Sequence, residues 1–572
     1  MARTVLLALL LLTPLCAAAQ VASSSATVQA LYASGRWQEV VAKTEDLGGQ
    51  PAELDYYRGM ALAKLERWDE AALAFESGRK KDPRDKRFPT ELAGVAFRQK
   101  RNREAEALLR RALQLDPADE YACDFLATLY SLDGNLEAAL KYWNRAGKPK
   151  IGEIKVDPPL RVNPDLLDRS LAVAPASVLR LDNYRITRAR LDALGIFSAY
   201  RLELAPLPAS DSGDYDLQLA ADERNGWGNS RLQGFITLAS GVPYQTVYPE
   251  FYNLRRSAIN VQSLLRWDSK KRRALVELSA PLGDRPGWRY RFFADGRDED
   301  WDVANTLNGA SALPHEFTLR KIEAGGEVQD IVNSRLTWQG GVALSDRTFP
   351  GITQGATAAS AGLASSAALE VGSRADVALL RIPEKRFTLD SSATARLGRA
   401  YAAALGAYGG LEGSLSARWF PTARGDDYEM RESFRAGHWF GNAPFDELYI
   451  LGLERDNDLP LRAHIGTAGG KKGSAPLGRA YWLSNWEINK NLVNAGWFRL
   501  RLAPFLDTGR AYDSRSAFGW RETLWDTGGE LKVGVLGGLT VVLTYGKDLH
   551  TGNNAFYADV ERRFGSARGF LW

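Results

Sequence analysis

Cysteine is nearly missing. Cys16 and Cys123 are the only two in 572 residues. Cys16 falls in a leader-like N-terminus, so the mature chain is expected to keep one cysteine and no internal disulfide. Histidine is also scarce, with His315, His438, His464 and His550 dispersed along the chain. None has metal-ligand spacing in sequence, and no His-Glu-x-x-His occurs. No Gly-x-Ser-x-Gly nucleophile turn is found. Gly469-Gly470-Lys471-Lys472-Gly473-Ser474 is basic and glycine-rich, but it lacks phosphate-loop spacing and reads as flexibility in a long loop. The pair Asp426-Asp427 reads as a solvated turn. The expectation is a non-enzyme with no catalytic residue, no metal and no cofactor. Charge of one sign is lacking too: 73 basic residues face 69 acidic ones, for a net +4. That balance speaks against nucleic acid as a partner, and no nucleotide site is expected. Past residue 19 no run approaches the roughly 20 apolar residues of a membrane helix.

Residues 1–19 have the features of an export signal. Arg3 opens it, Val5 to Leu12 is apolar, and Ala17-Ala18-Ala19 forms a small-residue cleavage site before Gln20. Leu15 is too large for lipid attachment at Cys16. An exported chain without a spanning helix is either soluble or a barrel. Its length exceeds one ordinary core and suits two to four domains.

Residues 20–148 repeat with a spacing of 34: Ala71, Ala105 and Ala139; Phe75, Leu109 and Trp143; Gly78, Ala112 and Ala146. Pro83 and Pro117 close two units, and Gly59 and Tyr130 fit first-helix positions. An earlier, degenerate unit spans Leu31 to Asp46, with Trp37 echoing Trp68. This period and order resemble tetratricopeptide repeats. The resemblance implies stacked helix pairs with a concave face, serving either as a docking surface or as a spacer.

Residues 149–224 read as strand, helix, helix, strand, strand. Ile151, Ile154 and Val156 mark the first strand, and Pro158-Pro159 ends it. Leu166, Leu167 and Leu171 mark the first helix. Tyr184 to Leu194 forms the second, stopped by Gly195. Tyr200 to Leu204 and Tyr215 to Leu219 alternate as strands. With Leu191-Asp192-Ala193-Leu194-Gly195-Ile196-Phe197, this order resembles one polypeptide-transport-associated (POTRA) domain. Such modules bind clients by adding a strand to a sheet edge.

About 345 residues remain, 228–572. They hold about sixteen alternating segments, as a transmembrane antiparallel β-barrel requires. Trp288, Tyr290, Phe292 and Ala294 share one face, with Arg289, Arg291 and Phe293 opposite. Val276, Leu278 and Ala280 alternate with Leu275, Glu277 and Ser279. Backbone groups in lipid have no water partner, so the sheet must close. Trp267, Trp288, Trp301, Trp338 and Trp439 are candidates for interfacial girdles. Ala356 to Ala368 reads as an exposed loop. Phe556 to Phe564 reads as the last strand, with a terminal aromatic signal reaching Trp572. The fold class is therefore multi-domain: a helical solenoid, a small α+β domain, and a barrel of about 16 strands.

The stretch from Glu447 to Asp513 organises the rest. A long charged loop, Arg455 to Gly478, precedes strict alternation from Trp497 to Gly509. There Phe498, Leu500, Leu502, Pro504 and Leu506 share one face. Arg499, Arg501, Ala503, Phe505 and Asp507 share the other. On the count of alternating segments, the loop falls between strands eleven and twelve and the second segment is strand thirteen. Leu461-Arg462-Ala463-His464 and Phe505-Leu506-Asp507-Thr508-Gly509 resemble the two signature motifs of the bacterial surface-antigen superfamily, the outer-membrane barrels of barrel-assembly and two-partner-secretion transporters. The resemblance implies that Arg462 enters the barrel and meets Asp507. Ala463 stands where the family has Gly, and His464 where it has an aromatic. A positive φ at Ala463 would be strained. Asp458 and Glu454 are rival acids, and Arg499 and Arg501 are rival cations. The family further implies assembly, insertion or translocation of proteins at the bacterial outer membrane. Outer-membrane lipid would surround the barrel, and the N-terminal modules would meet protein clients or lipoprotein partners in the periplasm. The alternatives are an exopolysaccharide or small-solute export porin with a repeat scaffold, and a repeat-based adaptor anchored by its barrel.

Overall fold

The computed structural model describes residues 25–45, 51–207, 214–283, 285–306, 314–401, 406–422, 425–513, 522–535 and 539–562. The leader-like residues 1–19 and the terminal Phe564 and Trp572 lie outside the described residues. The chain forms two compact units, Met1–Pro149 and Lys150–Trp572.

The first unit is helical. Helix α1 covers residues 25–33. It is followed by α2 (Trp37–Lys43), α3 (Ala52–Lys64), α4 (Trp68–Lys81), α5 (Arg87–Arg98), α6 (Asn102–Leu115), α7 (Glu120–Leu132) and α8 (Leu136–Trp143). The periodic small residues let neighbouring helices approach. A Cβ on Gly59 would lie 2.5 Å from the Phe75 ring, and one on Gly78 would lie 2.2 Å from the Phe88 ring. Ala71, Phe75, Ala105, Leu109, Ala112, Ala139 and Trp143 are buried. The Trp143 indole donates to Asp124 at 2.9 Å, so this large ring is buried without an orphaned N–H. Pro83 and Pro117 sit in exposed turns. Asp119 caps α7 by accepting from the Ala122 amide at 2.9 Å, a contact of about 1 kcal/mol.

Glu91 on α5 is half-buried. Burial raises its pKa, and the Tyr56 hydroxyl and Lys64 only partly oppose this. A carboxyl with a raised folded pKa binds more protons when folded, so stability falls as pH rises between the unfolded and folded values. Glu91→Gln is therefore expected to raise the melting temperature of the helices at pH 7, read by circular dichroism. The gain should vanish once the pH falls below the ordinary glutamate range. An unchanged melting temperature at pH 7 would contradict the assignment.

The second unit begins with β1 (Lys150–Val156), α9 (Pro164–Ser170), α10 (Leu181–Leu194), β2 (Phe197–Pro206) and β3 (Asp214–Glu223). The sheet order is β1-β3-β2, with β1 parallel and β2 antiparallel to β3. Asn163 caps α9, and Gly195 ends α10 at φ 68°. Leu191, Leu194, Ile196, Leu217 and Leu219 form its core. This small domain docks on one end of the barrel. Asn260 donates to the Leu194 carbonyl at 2.9 Å, Ser334 donates to Asp182 at 2.8 Å, and Arg289 donates to the Ala193 carbonyl.

The wall follows. Its first course is broken in two, β4 (Thr246–Val247) and β5 (Glu250–Leu254). Next come β6 (Ile259–Trp267), β7 (Lys271–Leu282), β8 (Arg285–Asp302), β9 (Glu316–Ile331), β10 (Leu336–Thr348), β11 (Ser366–Ile382), β12 (Phe387–Tyr401), β13 (Ala407–Trp419) and β14 (Tyr428–Gly441). A long loop then carries four two-residue strands: β15 (Tyr449–Ile450), β16 (Thr467–Ala468), β17 (Lys471–Lys472) and β18 (Leu477–Gly478). The wall resumes with β19 (Ala480–Asn494), β20 (Phe498–Tyr512), β21 (Leu524–Val535), β22 (Leu539–Asp548) and β23 (Asn554–Arg562), and closes with β23 beside β4. Among the described residues fifteen courses cross the wall, one fewer than the alternation predicts. The difference arises before the long loop. Residues 231–239, inside the span 228–572 read as barrel, form helix α11 (Arg231–Ala239). The long loop consequently lies between the tenth and eleventh courses and Asp507 on the twelfth, each one place earlier than the sequence count.

The wall is inverted relative to a soluble protein. Ile322 is 72% exposed, while its strand neighbours Lys321 and Glu323 are 7% and 5% exposed. Phe292, Leu344 and Leu397 also point outward, whereas Arg289, Arg291 and Glu327 point inward. Apolar exteriors over charged interiors are the arrangement of a barrel that spans a membrane. Among the described residues no helix is long and apolar enough to cross one.

The interior corrects three expectations. Trp301 and Trp439 are not girdle residues: both are buried, packed with Phe445 and Tyr449 of the long loop. Ala356 to Ala368 is not an exposed loop. It contains the short helix α12 (Ala356–Ser360) and buries Ala358, Ala359, Ala361 and Leu363, because small side chains allow close packing against the Phe445 segment. The Gly469–Ser474 stretch is not a flexible linker either. Gly469 and Gly470 take positive φ to turn a β16–β17 hairpin, and Lys472 is buried against Glu299 at 2.7 Å.

Candidate functional site

Four consecutive courses bring polar residues to one level of the lumen. Asn485 on β19 pairs across with Asp507 on β20, Asp507 with Asp526 on β21, and Asp526 with Asp548 on β22. Alternation sends these side chains inward. Asp507 and Asp526 are fully buried, and Asp548 is nearly so.

The loop segment 460–464 crosses this ladder rung by rung. Asn485 donates to the Pro460 carbonyl and to Asp507, both at 2.8 Å. The Arg462 guanidinium donates through Nε and Nη2 to the two Asp507 oxygens at 2.9 and 2.8 Å, and its amide adds a third bond at 3.1 Å. Nη1 donates to Glu487 at 2.6 Å and lies 3.3 Å from Glu530. The guanidinium also sits 3.8 Å over the Phe505 ring. The Ala463 amide donates to Asp526 at 2.6 Å. His464 Nδ1 lies 3.1 Å from Asp526 and Nε2 lies 3.8 Å from Asp548. A fork of parallel charge-assisted bonds fixes orientation as well as position.

Each motif residue has a place. Leu461 is fully buried in a cluster with Trp439, Tyr481 and Leu483. Ala463 does not adopt a positive φ, so the expected strain does not arise. Gly509 has no room for a Cβ, which would lie 2.9 Å from the Trp482 carbonyl oxygen. Gly546 on β22 lies beneath the crossing loop: a Cβ there would be 2.2 Å from the Arg462 carbonyl oxygen. The rival partners are engaged elsewhere. Asp458 faces Arg435 at 3.4 Å, Glu454 faces Lys271 at 3.5 Å, and Arg501 faces Glu429 at 3.6 Å.

Two further anchors hold the loop. Asp456 meets Arg266 at 2.7 Å, Arg273 at 2.9 Å and Lys472 at 3.4 Å. Burial would raise the pKa of this loop carboxyl, but Arg273, Lys472 and Arg266 outweigh it and hold it well below the usual range. Asp446 meets Lys321 at 3.0 Å and Arg347 at 3.3 Å. Inside the closure, Arg455 stacks 3.4 Å over the Tyr244 ring, and Tyr244 donates to the Ala558 carbonyl on β23 at 3.1 Å. Sequence reasoning missed Asp446, Asp456, Asp526, Asp548, Asn485 and Glu487. One signal was available: Asp526-Thr527-Gly528 repeats Asp507-Thr508-Gly509 on the next strand.

Among the described residues two groups could hold a cation. His464, Asp526 and Asp548 form one, and Asp302, His315 and Glu316 form the other, with ligand atoms within 4.8 Å of one another. Sequence spacing could not reveal the first, because it joins a loop to two separate strands. At the main site a loop is latched to the wall by ion pairs and hydrogen bonds.

No protein-family model matches the sequence. No curated protein matches it. Among solved structures, the chain is similar to BamA from Haemophilus ducreyi lacking POTRA domains 1–3, at 11% identity, over 72% of this chain and 83% of that one, with a TM-score of 0.41. It is similar to CdiB from Escherichia coli at 13% identity, over 72% and 75% of the two chains, with a TM-score of 0.44. It is also similar to CdiB from Acinetobacter baumannii at 11% identity, over 74% and 80%, with a TM-score of 0.42.

Proposed function

We propose that this chain is a surface-antigen-superfamily barrel of the bacterial outer membrane, acting in the assembly, insertion or translocation of proteins. The observation that carries this reading is the three-bond clasp of Arg462 on Asp507, which joins the two motifs quoted from the sequence. The inverted wall supports a membrane location. The small α+β domain acts as the POTRA module, and its edge strand β2 is available for strand addition to a client. The helical unit acts as a tetratricopeptide scaffold in the periplasm, docking clients or lipoprotein partners. The loop anchors keep the lumen occupied at rest, and client binding and folding drive any opening without nucleotide.

Depleting the protein and quantifying outer-membrane and secreted proteins tests this. Loss of barrel proteins supports assembly, and loss of a secreted surface protein supports translocation. Loss of a surface polysaccharide with an unchanged protein inventory would sink both.

A further inference from the structure

Every neighbouring pair of wall courses from β5 to β23 is antiparallel. With fifteen courses among the described residues, the first and last therefore run in the same direction. An even-numbered wall would close antiparallel. Parallel pairing is weaker per residue, and the course β4–β5 is short. The closure needs cover.

The chain supplies a segment at that place. Gly226 exchanges both backbone bonds with Tyr252 of β5, at 2.9 and 2.8 Å. Further on, Tyr244 reaches Ala558 of β23. Helix α11 lies between these two attachments in sequence, capped by Ser230, which accepts from the Gln233 amide at 3.2 Å. The side of the wall is fixed by alternation. Glu250 and Tyr252 are buried inward, so Phe251 points outward, and Trp227 packs on Phe251 with ring centroids 4.9 Å apart. Leu232 and Phe235, one turn apart on α11, are 63% and 65% exposed. From Leu232 to Pro249 the sequence holds no charged residue. Helix α11 lies against β4, which pairs with β6, and the outward Leu265 and Trp267 of β6 are 47% and 51% exposed.

We propose that α11 is an in-membrane part of the wall, its Leu232–Phe235 face lying against the acyl chains of the bilayer where a sixteenth course would stand. A helix suits this position because it satisfies its own backbone groups, as lipid requires. Adjacency to the apolar exterior selects lipid over a second protein as the occupant.

The inference rests on the wall spanning a membrane, and a control separates the two claims. Single cysteines at Leu232, Phe235, Leu344 and Tyr121, in a full-length background carrying Cys16→Ala and Cys123→Ala, are labelled with an environment-sensitive fluorophore. The protein is then placed in phosphatidylcholine nanodiscs with or without dibrominated acyl chains. Positions 232 and 235 should match the outward wall position 344, with emission quenched at least twofold by brominated lipid and barely by iodide. Position 121, exposed on the helical unit, should behave oppositely. If 344 is quenched by lipid while 232 and 235 are quenched by iodide, or by neither agent, the proposal for α11 is overturned. If 344 also fails, the membrane reading of the wall fails first.

Discussion

Arg462→Ala is expected to release the loop tip from the wall while leaving the barrel closed. The side chain is 6% exposed and neutralises Asp507, which is fully buried, with Glu487 and Glu530 close behind. Truncation leaves Asp507 with the Asn485 amide and the Arg462 backbone amide as its donors. Removing one partner of a buried pair costs about 3–5 kcal/mol, because the remaining charge stays desolvated. Lys532 still neutralises Glu487 at 2.6 Å, so the damage stays centred on Asp507. The continuous strand ladders hold the wall without this bond, so the cost should appear as loop release. Limited trypsinolysis at Arg455 and Lys471–Lys472 reads it directly: cleavage should rise at least tenfold, with the strands intact. Arg462→Lys keeps the charge but loses the fork and should fall between the two. A loop as protease-resistant as the original would show that the clasp contributes nothing.

Gly546→Val should give the same release with no charge altered. The new Cβ would lie 2.2 Å from the Arg462 carbonyl oxygen and 2.9 Å from the Ala463 Cα. Both are backbone contacts, so no rotamer change relieves them. The loop must lift from β22, or the strand must bow. Overpacking of this kind typically costs about 1–3 kcal/mol, and here it also lengthens the bonds from the loop to Asp507 and Asp526. Gly529→Val on the neighbouring strand is the control, because a Cβ there meets nothing within 4 Å. Wild-type loop protection in Gly546→Val, or equal loss in the control, would remove the case for close contact at this crossing.

Much of the architecture was legible because it depends on local period. The 34-residue spacing of small and large residues placed the helix pairs, since each pair repeats the same packing problem. Two-residue alternation placed the wall strands and gave the correct inward face at Ala503, Phe505 and Asp507. It gave no sign of the helix at residues 231–239, where apolar residues with little charge suit a lipid-facing helix as well as a strand. It also placed Trp301 and Trp439 on the outside, because a tryptophan's composition cannot tell which face of a wall it occupies.

The sequence by itself determined the order of domains, the sidedness of the strands and the two motifs, since these follow from neighbours along the chain. Only the tertiary structure decided what else the loop grips. Asp507, Asp526 and Asp548 become rungs of one ladder through strand register, and register joins residues about 20 apart in sequence at a spacing no local pattern records. Among the described residues the parity of the wall likewise follows from closure, because a sheet must count its courses before its first and last edges can meet.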